Sequence, residues 1–211
     1  MSTEALEIGV ITDTHSAFQG SLNGDIVFGL GDYCGKGEAN KIIGNYDKYL
    51  LITGNHDDFS YPITNLSKDE YTILKLPETA ELRKTPESCV ITSIYDNIYL
   101  MLTHEPPTKK QIFYVIESLD IKNSNLISLS GHTHKKTSIE KFNYKNNNAL
   151  KINLDSYADV YPWNNKINIK GFKYNMKIDE TGHIEFTSTD KNNKQKTLIN
   201  EKVGDKYFNY Y

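Results

Sequence analysis

Arginine is almost missing from this sequence. Of 24 basic residues in 211, only Arg83 is an arginine. A chain so short of guanidinium forks cannot grip a phosphate through bidentate arginine pairs, so any anion it binds is held by other means. Cysteine is scarce as well. Cys34 and Cys89 are too few for a disulfide scaffold or a four-cysteine zinc site. No apolar run approaches the ~18 residues of a membrane-spanning helix. The opening residues MSTEALE are acidic, unlike the basic start of a secretory signal. No membrane partner is expected, and the cytoplasm is the expected location. The net charge of −3 gives no bulk attraction to nucleic acid, which leaves only a local basic patch as a route to such a partner.

The apolar fraction, 38%, is lean, but 15 Tyr and 8 Phe offset it, and the composition is that of a folded chain. The length predicts one domain over residues 1–211. Short apolar runs lie at residues 6–12, 26–30 and 49–53, with a helix predicted over 38–49 from Ile42, Ile43 and Tyr46. Continuous runs of this kind fit strands buried on both faces of a largely parallel sheet. Residues 58–88 contain Pro62, Pro77 and Pro86 and read as a loop-rich insertion with one short strand at 72–76. Strands at 89–95 and 98–103 flank Asp96-Asn97, a two-residue hairpin signal. A helix is expected over 109–119 and a further strand over 126–130. From about residue 138 the pattern is β-rich, with strands at 138–144, 149–154, 167–178 and 183–188 and a polar, mobile segment at 191–196.

The apolar runs of the first 134 residues end in chemistry. They close on Asp13-x-His15, on Gly31-Asp32, on Gly54-Asn55-His56-Asp57, on His104, and on Gly131-His132-x-His134. Five of the six histidines sit at these ends, and only His183 does not. In α/β sheets, sites form just past the carboxyl ends of strands. Imidazole, carboxylate and amide oxygen are donors for manganese, iron, zinc or nickel. On an extended tail, residues i and i+2 point the same way, which would let Asp13 and His15, or His132 and His134, grip one ion. Glycine ahead of the donors lets the backbone turn sharply. A carboxylate at Asp32 can bridge two cations. Two ions about 3.5–4 Å apart can clamp both the attacking and the leaving oxygen of a phosphoryl displacement, and a water shared between them deprotonates near neutral pH. Taken singly, most of these ends are ordinary: a D-x-H in a surface loop, a Gly-Asp turn, an Asn turn, a loop histidine ahead of Pro106-Pro107. All five in this order, each after an apolar run, specify a metal site.

The ordered set D-x-H, GD, GNH[DE], H, GHxH resembles the signature of the calcineurin-like metallophosphoesterases, and the match runs from Asp13 to His134. The resemblance implies an α/β (α+β) fold, a four-layer αββα sandwich of two mixed β-sheets flanked by helices. It implies two divalent transition-metal ions, manganese first, with iron, zinc and nickel as alternatives. Asp13, His15, Asp32 and His134 would hold one, and Asp32, Asn55, His104 and His132 the other. His56 would be catalytic, acting on the phosphate and the leaving group, with Asp57 orienting or charge-tuning it. The implied reaction is hydrolysis of a small phosphodiester or phosphomonoester by a metal-bridging hydroxide. The second motif reads GDYCGKG, similar to small prokaryotic phosphodiesterases rather than to the GDxxDRG of protein phosphatases. Glu105 after His104 departs from the common pattern by adding a carboxylate. Two alternatives accompany this expectation: a nuclease or cyclic-nucleotide phosphodiesterase, and a non-catalytic protein-binding scaffold on the same fold. Cys34 reads as a buried loop thiol, His183 as a surface residue, and Tyr207, Phe208, Tyr210 and Tyr211 as packing on the sheet.

Overall fold

The computed structural model describes residues 5–44, 46–59, 61–78, 86–161 and 166–203. Arg83 and the aromatic residues Tyr207, Phe208, Tyr210 and Tyr211 lie outside these. A first sheet has seven strands. Its centre is β1 (Leu6–Ile11), β2 (Ile26–Gly29) and β3 (Tyr49–Leu51), all parallel, and the two-residue β4 (Ile63–Thr64) closes one edge. A second sheet has six strands. In spatial order they are β5 (Tyr71–Lys75), β6 (Ser88–Tyr95), β7 (Ile98–Leu102), β8 (Asn125–Ser130), β10 (Asn147–Asn153) and β9 (Ser138–Tyr144). Here β7, β8 and β10 run parallel. A separate two-stranded hairpin joins β11 (Ala158–Tyr161) to β12 (Lys166–Ile169). The chain then returns to the first sheet as β13 (Lys173–Ile178), antiparallel to β1, followed by β14 (His183–Thr189) and β15 (Gln195–Lys202).

The parallel strands β1, β2, β3, β7 and β8 bury both faces, as their unbroken apolar runs predict, and the alternation sorts their side chains into layers. Ile8 and Val10 of β1, Phe28 of β2, Leu50 of β3, Leu100 and Leu102 of β7 and Ile127 and Leu129 of β8 meet in one core between the sheets. Their neighbours point outward. Ile11, Val27 and Leu51 pack under helix α1 (Lys36–Ile43) through Ala39 and Ile42. Cys89, Ile91, Met101, Leu126 and Ala149 pack under helix α2 (Lys109–Ser118) through Ile112, Val115 and Ile116. The order helix, sheet, sheet, helix is the four-layer sandwich expected from the resemblance. Helix α2 starts where Thr108 and Gln111 form a reciprocal capping box just past Pro106-Pro107. The Gln111 amide also donates to the carbonyls of Pro77 and Pro86, tying both prolines to the helix start.

Four expectations change. The helix predicted to reach residue 49 ends at Ile43. Tyr46 is instead held in the connection, where its hydroxyl accepts from Leu22 N at 2.5 Å and donates to Leu22 O at 2.9 Å. The strand predicted over 167–178 is two strands in different sheets. Gly171 breaks it at φ +73°, where Lys170 and Gly171 both donate their N–H to Tyr157 O. The segment predicted to be mobile at 191–196 holds a turn from Asp190 to Asn193 and then opens β15. The 58–88 insertion carries two short strands rather than one. No helix among the described residues is long and apolar enough to cross a membrane.

Candidate metal centre

The parallel strands of both sheets point their carboxyl ends to the same edge of the sandwich, so five loops meet there. Pairing continues past the strands: Leu30 donates to Ile11 O, Asp13 to Gly31 O, Ile52 to Gly29 O, and Gly131 to His104 O. The loops then turn through left-handed backbone. Asp13, His15, Asp32, His132 and His134 all have φ between 43° and 68°. Asp13 and His15 do converge, but through these turns and not along an extended tail. Such conformations cost of order 1–3 kcal/mol each and persist where surroundings over-determine them, most often at functional sites. Two glycines make the approach close enough. A Cβ at Gly54 would overlap the Asp32 carboxylate, and one at Gly131 would overlap Thr12 Oγ1 and the Asp13 carboxylate.

Seven predicted donors form two groups that share Asp32. Carboxylate and ring nitrogen atoms of Asp13, His15, Asp32 and His134 lie within 4.8 Å of one another, and so do those of Asp32, His104 and His132. In the first group His15 Nε2 and His134 Nε2 face each other at 3.3 Å, and His134 Nε2 is 3.2 Å from Asp13 Oδ1. In the second, His104 Nε2 lies 3.1 Å from His132 Nδ1, 3.2 Å from Asn55 Oδ1 and 3.4 Å from Asp32 Oδ2. Asn55 thereby joins this group from an exposed position. Nitrogen lone pairs aimed at one another at such distances are an arrangement that a cation between them satisfies. Asp13 Oδ1, fully buried and without a hydrogen-bond partner, points the same way. The donor set of imidazole, carboxylate and amide oxygen fits a transition metal.

Charge is already unbalanced here. Burial pushes the Asp32 carboxyl up, but His104 and the His56 backbone N–H outweigh it and bring it down to about 2. Burial pushes His104 down, yet Asp32 and Asp13 raise it to about 9. Asp13 stays below the ordinary carboxyl value against its burial, through His134 and His104. Burial lowers His15 despite the same carboxylates.

A family model described as the calcineurin-like phosphoesterase superfamily domain matches residues 6–157, most of the chain and every loop of this centre. The chain belongs to the calcineurin-like phosphoesterase superfamily. No curated protein sequence matches it. Among solved structures it is similar to vacuolar protein sorting 29 from Cryptosporidium parvum, at 13% identity and TM-score 0.58, over 95% of this chain and 100% of that one. It is also similar to wild-type Vps29 complexed with zinc from Entamoeba histolytica, at 16% identity and TM-score 0.53, over 92% and 99%. Vps29 from Chaetomium thermophilum is 11% identical, with TM-score 0.51 over 94% and 100%. At these identities the likeness is one of fold.

In this superfamily member the remaining site residues take places that the motifs alone do not give. His56 is exposed at the rim, its ring centre 5.4 Å from that of His15. Asp57 acts here through backbone amides. Its Oδ2 accepts from Asp32 N and Gly54 N at 2.8 Å, and its Oδ1 from Tyr33 N and Cys34 N at 2.8 and 2.9 Å. It therefore clamps the GD loop to the GNHD loop. Cys34 is exposed rather than buried, with Sγ 3.6 Å from His15 Nδ1. Asp159 lies outside the five strand-end motifs, and its Oδ1 lies 3.0 Å from His134 Nδ1. Beside Asn55 and His104 a cleft of about 710 Å³ opens, lined also by Tyr61, Glu87 and Glu105.

Proposed function

We propose that this chain, taken as one catalytic unit, is a metal-dependent phosphoesterase acting on a small phosphodiester or phosphomonoester, with diesters preferred. The observation that carries the reading is the pair of donor groups sharing Asp32 at the strand ends. Asp13, His15, Asp32 and His134 would hold one divalent ion, and Asp32, Asn55, His104 and His132 a second, with manganese first among the metals. Bound there, the ions would supply Lewis-acid charge at the phosphoryl group and ease deprotonation of water at neutral pH. The chain's own part is placement. Asp57 fixes the loop that presents His56, and His56 at the open rim can give a proton to a leaving oxygen. The preference for diesters rests on charge. A phosphodiester carries one negative charge, whereas a phosphoserine carries nearly two. Among the described residues, those lining the adjoining cleft include Glu87 and Glu105 and no arginine. A nuclease or cyclic-nucleotide phosphodiesterase is a narrower form of the same reading. The cytoplasm is the proposed location.

A second reading is a non-catalytic scaffold for another protein. It is favoured by solved structures of the same fold that carry a sorting name rather than an enzyme's. One panel separates the two. Phosphomono- and diesters are offered to the manganese-loaded protein beside an Asp32→Asn control. Turnover of diesters that the control lacks supports the esterase. A loaded protein that turns over none of them defeats it and leaves the scaffold.

A further inference from the structure

His134 is held from both sides. Its Nε2 faces the first donor group, 3.2 Å from Asp13 Oδ1 and 3.3 Å from His15 Nε2. Its Nδ1 faces Asp159 Oδ1 at 3.0 Å. Asp159 belongs to β11, which no sequence motif of the centre includes. It is nearly buried, with 13% of its side chain exposed.

Two further side chains donate to that carboxylate. Ser156 Oγ gives a hydrogen bond of 2.6 Å and Lys170 Nζ lies 3.0 Å away, both on Oδ1. Lys170 also reaches Asp155 Oδ1 at 2.8 Å and the His134 carbonyl at 3.0 Å. The backbone is stitched to the same place. Tyr157 N donates to Thr12 O and Ala158 N to Asp13 O, while Tyr157 O accepts from Lys170 and Gly171. The β11–β12 hairpin is thus anchored directly behind Asp13 and His134.

A carboxylate so surrounded can only accept a hydrogen bond. Neutral imidazole has one ring proton to give, and of the two carboxylates that face His134 the nearer is Asp159 Oδ1, at 3.0 Å from Nδ1 against 3.2 Å from Nε2 to Asp13 Oδ1; a proton on Nδ1 leaves Nε2 with a free lone pair. We propose that Asp159 is the positioning residue of the first donor group. It fixes His134 in the Nδ1–H form and in one ring orientation, while Lys170 and Ser156 hold Asp159 in place. The inference rests on the metal-site reading above but concerns a residue that this reading does not use. Outer carboxylates of this kind typically change metal affinity 10–100-fold when removed.

The experiment reads the ring first. In metal-free protein at alkaline pH, where the imidazole is neutral, nitrogen-15 correlation spectra report which nitrogen of His134 bears the proton. Nδ1–H is expected in the natural chain, and Nε2–H overturns the proposal. In Asp159→Asn the Nε2–H form should appear, because an amide can present a donor to Nδ1, and Asp159→Glu should restore part of the Nδ1–H form. Zinc affinity is then measured by chelator competition. Asp159→Asn and Lys170→Met should weaken one ion 10–100-fold and leave the other within about twofold. Wild-type affinity for both ions in Asp159→Asn overturns the proposal. Were that variant unable to fold, the tautomer in the natural chain still decides. A natural chain that takes up no zinc defeats the esterase reading, while the metal-free spectra continue to test Asp159.

Discussion

His56 differs from its neighbours in ways that lead to a specific expectation. Its backbone N–H donates to Asp32 Oδ1 at 2.9 Å, while its ring stands exposed near His15 and belongs to neither donor group. His56→Ala should therefore keep the metal content of the natural chain, measured by elemental analysis. Turnover of alkyl phosphodiesters should fall about 10²- to 10⁴-fold, the usual effect of losing a general acid. Nitrophenyl esters, whose leaving group needs no proton, should fall less. Loss of metal, as expected for His104→Ala, would make His56 a ligand instead. Gly131→Ala offers a second test at this scale. Its new methyl would overlap two buried neighbours, Thr12 and Asp13, which have no room to retreat. Reduced uptake of the first ion and a lower Tm are expected, and an unchanged Tm would show that the loop has slack. Most of this chemistry was legible in the sequence because ligand-type residues follow strand ends in order. The clamp that Asp57 makes on the GD loop and the place of Asp159 were not. Asp57 acts on amides more than twenty residues away, and Asp159 meets His134 only because β11 returns beside Asp13.

At the scale of elements, period and caps were readable where an element is decided by its own residues. Helix α2 shows it: Thr108 and Gln111 cap it, and Ile112, Val115 and Ile116 form one apolar stripe against the second sheet. Removing the cap side chain by Thr108→Ala should cost about 1 kcal/mol, or roughly 2–4 °C in Tm for a chain of this size. A calorimetric Tm equal to that of the natural chain would mean that the Gln111 bonds to Pro77 and Pro86 hold the helix start alone. Elements decided by distant partners were harder to read. Residues 167–178 look like one strand until Gly171 adopts a positive φ and Tyr157 captures two backbone donors. β15 begins in a polar stretch because β14 supplies the pairing that its own exposed residues do not demand.

For the whole molecule, the crowd of donors makes stability depend on pH and on metal in opposite senses. Consider the metal-free protein. His104 is raised to about 9 from an ordinary 6.5, burial opposing and Asp32 and Asp13 prevailing. Its contribution is fully present below pH 6.5 and is lost as pH rises through about 9. His134 is raised too, burial again opposed by Asp13 and Asp159, and it adds the same sign. His15 is lowered, chiefly by burial, so it opposes this trend only near pH 6.5, where the unfolded imidazole is still partly protonated, and adds nothing at higher pH. The Cys89 thiol, pushed up to about 12 by burial, deprotonates only in the unfolded chain near pH 9 and deepens the loss. Asp32, held at about 2, contributes above the ordinary carboxyl range and is lost only as pH falls through about 2. Chelator-treated protein should therefore lose Tm steadily between pH 6.5 and 9.5. A divalent ion reverses the sense, because it takes the place of the protons on His104 and His134 and binds more tightly as they leave. The rise in Tm on adding zinc or manganese should grow over the same window, following the logarithm of ion concentration over Kd. Thermal scans at matched ionic strength, with chelator and with metal, give both curves. A metal-free Tm that holds level or climbs from pH 6.5 to 9.5 would mean that the carboxylates at Asp13 and Asp32 do not carry the histidines' protons. A metal-induced rise that stays constant with pH would mean that ions and protons do not compete for these seven residues.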